Sequence, residues 1–96
     1  MLAAHRPLPE RKTLGTRFNL CPDTRRVPAG ALRVGDVVME GPEHPAVIAR
    51  IDHPFGNVRI MCRYVWQEPY ERTWRLGDFH RDHRIARALP DEYPQH

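Results

Sequence analysis

The longest alternation of apolar and polar positions in the chain runs over residues 58–66, Val-Arg-Ile-Met-Cys-Arg-Tyr-Val-Trp. Val58, Ile60, Cys62, Tyr64 and Trp66 fall on one face, and Arg59, Met61, Arg63 and Val65 on the other. A period of two with β-branched and aromatic residues is what a half-buried strand requires. We read this stretch as the central strand of a small barrel or strongly bent sheet. A first strand is predicted over 34–39 and a second over 46–51, the latter with Val47, Ala49 and Ile51 on one face. A fourth is predicted over 72–76 and a fifth over 84–89. Proline and glycine punctuate the intervals: Gly41, Pro42 and Pro45, then Pro54 and Gly56, then Pro69, then Gly77. These residues break a strand ladder and supply the special backbone angles of turns. Gly77 and Asp78 are read as a turn, and residues 80–83 as one tight helical turn.

Five short strands separated by turn signals predict an all-β barrel or sandwich. Upstream, residues 1–30 carry four prolines and scattered charge without sustained periodicity, so they are read as a tail or irregular arm. A short edge strand over 16–20 is the one element expected there, from the alternation of Phe18 and Leu20. The predicted organisation is a basic arm (1–30), a small β domain (31–90) and a polar tail (91–96). The opening Leu-Arg-Val-Gly-Asp-Val-Val at 32–38, followed by a turn and Ala-Val-Ile-Ala-Arg-Ile at 46–51, resembles the start of SH3-like small barrels. KOW-type modules of ribosome- and transcription-associated proteins are among them. The resemblance covers roughly residues 32–89 at the level of strand order. It implies a five-stranded, mostly antiparallel SH3-like barrel and a role in RNA or protein binding. A KOW-like loop has a glycine and a basic residue between the first two strands. Here that loop is Glu-Gly-Pro-Glu-His-Pro, acidic and stiffened by proline, which argues against RNA binding through it.

Composition narrows the classes further. Ninety-six residues suit one domain, and about 57 residues of β structure make a small core, so a monomer or a homodimer is expected. There is no run of about 18 apolar residues to span a membrane, and no apolar N-terminal stretch suited to a signal peptide. A cytoplasmic protein is the resulting expectation. Residues 1–33 carry seven basic and two acidic side chains, whereas 34–96 carry eight and ten. The chain is thus a basic arm joined to a mildly acidic domain. Arginine outnumbers lysine 14 to 1 and serine is absent, a bias that fits a GC-rich genome better than selection for arginine chemistry. Size and bias also suit a small accessory protein of a phage or mobile element.

Candidate chemistry is sparse. Without serine there is no serine nucleophile, and neither Cys21 nor Cys62 has a partner that spacing reveals. No glycine-rich phosphate loop occurs, so no enzyme activity and no cofactor is expected. His80 and His83 have the spacing to share one side of a helical turn as a weak metal pair, but Arg81 and Arg84 beside them repel a cation. Small barrels bind single strands by stacking bases on exposed aromatics beside a positive groove. Here Tyr64, Trp66 and Trp74 belong with the apolar residues, so burial is the more economical reading, and Tyr70 beside Pro69 is the aromatic expected at the surface. The leading expectation is a non-enzymatic module binding a protein partner through Tyr70, Gln67, Glu68 and Trp66. The alternative is a nucleic-acid module using Arg17, Arg25 and Arg26 of the arm with Arg59 and Arg63 of the long strand.

Overall fold

The computed structural model describes residues 18–90. Six strands form: β1 (Thr24–Pro28), β2 (Val37–Met39), β3 (Pro45–Asp52), β4 (Val58–Tyr64), β5 (Trp74–Phe79) and β6 (Arg84–Ala88). All pairings are antiparallel, and the strands lie in one sheet in the order β1-β6-β2-β3-β4-β5. The fold is all-β, as the alternation predicts. Among the described residues the sheet has six strands rather than five, and its end strands β1 and β5 are not paired to each other, so they form no closed barrel.

β4 follows its sequence pattern residue by residue, with Val58, Ile60, Cys62 and Tyr64 buried and the residues between them half-buried. It lies one strand from the sheet edge, between β3 and β5, rather than at the centre. β3 departs from simple alternation. The register with β4 passes from Ile48↔Cys62 directly to Arg50↔Met61, leaving Ala49 as the extra residue of a bulge. Ala46, Ile48 and Ile51 therefore meet the core, in place of the predicted set of Val47, Ala49 and Ile51.

The first strand is shorter than predicted because Gly35 takes φ +98°. Arg33 to Asp36 close a turn through a 3.0 Å bond from Asp36 N to Arg33 O, and Val34 is left exposed. β5, conversely, runs through the predicted turn at Gly77 and Asp78. A second bulge, at Leu76, accommodates the extra residue: Ile60 pairs with Gly77 and Met61 with Arg75. Gly77 serves packing here. A Cβ on it would lie 2.7 Å from Phe79 Cζ, so the Phe79 ring lies over the bare glycine. Residues 80–83 form a single turn closed by His83 N to His80 O at 2.9 Å, without a helix.

Residues 24–28, which sequence reading places in the arm, form β1 and pair with β6 over the full length from Thr24↔Ala88 to Pro28↔Arg84. Of the edge strand expected over 16–20, residues 18–20 are irregular and 16–17 lie outside the described residues. One cluster gathers the apolar side chains of every strand from β2 to β6, including Val38, Ile48, Ile60, Trp74 and Ile85. With no second layer of structure among the described residues, the sheet buries this face by curling around it.

The β3–β4 connection is a type I′ turn, with Phe55 at φ 53°, ψ 35°, Gly56 at φ +80° and Asn57 N bonded to Pro54 O at 2.9 Å. Type I′ turns favour Asn-Gly because both central residues are left-handed. Phe55 is fully exposed, so its side chain gains no packing to offset that backbone cost. Phe55→Asn is expected to stabilise the fold by about 1 kcal/mol, read as a melting temperature higher by roughly 4–8 °C. An unchanged or lower melting temperature would contradict this account of the turn.

Candidate functional site

The side chains with the most developed geometry surround the connection from β4 to β5. Tyr64, the last residue of β4, stacks on Trp66 at 4.5 Å and 13° and packs against Trp74 at 4.6 Å and 44°. Its hydroxyl donates to Glu40 Oε1 at 3.0 Å. Trp74 is buried in the core, and Trp66 is half-buried against it. Neither indole offers the free platform that base stacking needs. Trp66 Nε1 is buried without a hydrogen-bond acceptor among the described residues.

Gln67 ties the connection together. Its Oε1 accepts from Tyr64 N at 2.7 Å and from Trp74 Nε1 at 2.8 Å, and its backbone N donates to Tyr64 O at 2.9 Å. One side-chain oxygen thus joins the end of β4 to the start of β5. The next four residues form a turn closed by Glu71 N to Glu68 O at 3.0 Å, with Pro69 at the position that favours its fixed φ. Glu68 N also donates to Glu71 Oε2 at 2.6 Å, and Arg63 Nε donates to Glu71 O at 2.6 Å. The residue left at the outer corner is Tyr70, 82% exposed. Of the four residues expected to meet a partner, Tyr70 and Glu68 are exposed, whereas Gln67 and Trp66 face inward and build the support.

The arginines of the nucleic-acid alternative are not brought together. Arg25 and Arg26 are exposed on β1, four places in strand order from Arg59 and Arg63 on β4, and Arg17 lies outside the described residues. Arg59 grips Asp78 across the β4–β5 pair through two bonds of 2.9 and 3.0 Å. The hydrogen bond to Asp78 raises the Arg59 pKa above its usual value; the same bond, aided by the charges of Arg59 and Arg75, lowers that of Asp78. Beside them Arg50 pairs with Asp52 at 2.8 Å. His80 Nδ1 accepts from Asp82 N at 3.1 Å, and His83 stacks on Phe79 at 5.1 Å. Among the described residues no three His, Cys, Asp or Glu side chains are placed to hold a metal ion. Cys21 is exposed and Cys62 is buried, and neither is in a disulfide. No helix among the described residues is long and apolar enough to cross a membrane. No family model, curated protein or solved structure matches the chain.

Two outcomes are expected. Gln67→Leu deprives two part-buried donors of their acceptor, and should cost on the order of 2 kcal/mol in urea unfolding while loosening the loop. A cost below about 0.5 kcal/mol would show that Gln67 is not the tie. The second concerns acid. Because the folded state lowers the Asp78 pKa, the stability it contributes is present above the ordinary value of 3.8 and is lost as pH falls through the depressed one. Asp78→Asn should therefore flatten the acid limb of a stability–pH profile below pH ~4; an unaltered limb would contradict the assignment.

Proposed function

We propose that this chain is a non-enzymatic binding module of SH3-like type that docks a protein partner through the β4–β5 connection, with Tyr70 as its anchor. The observation that carries the reading is an 82% exposed tyrosine on a loop tied by hydrogen bonds at both ends. Exposed aromatic side chains dominate binding energy at protein interfaces, and a loop already held in one conformation loses little entropy on docking. Arg63, Gln67 and Glu71 do the holding, and so leave Tyr70 and Glu68 as the contact groups. The surface on β3–β5 also favours a protein. Its arginines at 50 and 59 are neutralised by Asp52 and Asp78, which gives a mixed-sign face rather than a phosphate track.

The test places a photo-crosslinking benzoylphenylalanine at position 70 and, as a control, at position 55 on the opposite end of β4. The expected result is a protein adduct specific to position 70. Tyr70→Ala is then expected to weaken the recovered complex at least about tenfold while leaving unfolding within about 0.5 kcal/mol of the parent. Absence of a protein adduct at position 70, with salt-sensitive oligonucleotide binding that ignores Tyr70→Ala, would overturn the reading.

A further inference from the structure

Tyr70 stands at the third position of the turn bounded by Glu68 and Glu71, which Glu71 N closes on Glu68 O at 3.0 Å. The first and fourth residues of such a turn lie within about 7 Å of each other. The Glu71 side chain folds back further, its Oε2 accepting from Glu68 N at 2.6 Å. Two carboxyl-bearing residues are thus gathered at the base of the corner from which the 82% exposed phenol projects. The Glu68 carboxylate forms no hydrogen bond or ion pair among the described residues.

A neighbouring connection adds to this sign. Residues 40–44 join β2 to β3, with Glu40 N bonded to His44 O and His44 N to Gly41 O, both at 3.0 Å. The His44 ring packs against Tyr64 at 5.8 Å and Trp66 at 6.3 Å, and Glu40 receives the Tyr64 hydroxyl. The two connections therefore meet over one aromatic group. Residues 40–44 and 63–73 together carry Glu40, Glu43, Glu68 and Glu71 against Arg63 and Arg72, a net −2 on a chain of net +3. Arg63 is half-buried with its Nε on Glu71 O, which leaves Arg72 as the exposed guanidinium of this end.

We propose that Tyr70 receives an arginine side chain from a basic segment of the protein partner, the guanidinium lying on the phenol ring and paired with the carboxylates of Glu68 and Glu71. The inference rests on the reading of Tyr70 as the docking anchor and names what it docks. A planar guanidinium stacks on an aromatic face and offers a fork of donors to carboxylates, so one side chain answers both features. The negative end of the molecule steers a basic partner towards the turn and repels a phosphate backbone.

The test is an amide-resolved NMR titration of the full chain with the blocked peptide Ala-Arg-Ala-Arg-Ala. The same peptide with citrulline, which keeps the shape of arginine without its charge, and oligothymidylate serve as comparisons. Shift changes centred on residues 66–72 and 40–44 are expected, with at least about tenfold weaker binding for the citrulline peptide. Tyr70→Leu and Glu68→Gln should each weaken the arginine peptide severalfold. Tyr70→Phe keeps the ring and should keep the binding, and Arg72→Gln, which removes a competing cation, should tighten it. Because the citrulline peptide leaves the protein untouched, the inference does not depend on any variant folding. No shifts at these residues at millimolar peptide, equal affinity of the citrulline peptide, binding indifferent to Tyr70→Leu, or oligothymidylate shifts at the same residues would overturn it. If the protein adduct at position 70 is still recovered in that case, the basic segment alone is refuted and the anchor stands.

Discussion

A single sheet with one apolar face, and no second layer among the described residues to lay over it, buries that face by curling. That constraint governs this protein. Ile48, Ile60, Cys62 and Trp74 come from neighbouring strands, yet all are buried in one cluster that also contains Ile85 of β6. The two bulges, at Ala49 in β3 and at Leu76 in β5, are placed where the curl needs them. Each adds a residue on one strand, bends it and strengthens its twist. Among the described residues, curling without closing leaves β1 and β5 as end strands, and the cavity lined by Leu76, Phe79 and Ile85 is a direct consequence.

Polar contacts then fix the curled end. The Gln67 oxygen joins β4 to β5 at one end of the pair, and the Arg59–Asp78 grip joins them at the other. The aromatic group of Tyr64, Trp66 and Trp74 packs at the Gln67 end. With the turn itself held by Gln67, by Arg63 on Glu71 O and by the Glu68–Glu71 bonds, it has little freedom, and Tyr70 projects from a fixed base. The same economy explains why so few polar side chains remain for chemistry: most of those near this loop are structural.

Much of the fold was legible in local pattern. β4 announces itself through alternation, and the exposure of Tyr70 follows from its place beside Pro69. The burial of Trp74 follows from the need to cover an apolar face. What was not legible depends on long-range pairing or on single-residue geometry. β1 reads Thr-Arg-Arg-Val-Pro, with three exposed residues in succession, because its partner β6 lies about 60 residues on and supplies the pairing. Without that partner nothing in the segment signals a strand. Gly77 carries a turn signal in sequence, but the Phe79 ring two residues later claims it for packing. The bulge at Ala49 is silent, since Val47, Ala49 and Ile51 alternate as well as the true inner set. The juxtaposition of Arg26 with Arg84 depends on the β1–β6 register and has no counterpart in local sequence.

The account rests on a sheet that is curled but open, with a rigid turn at Tyr70. Amide hydrogen exchange resolved by residue tests both features in one experiment. It predicts slow exchange through β3 and β4 and at Gln67 and Glu71, whose amides are bonded within the loop, together with faster exchange at those amides of residues 76–79 that are not bonded to β4. Slow exchange at every amide of residues 76–79 would mean a sheet that is covered or closed at this end, and fast exchange at Gln67 and Glu71 would mean a loose loop. Either result would contradict the account.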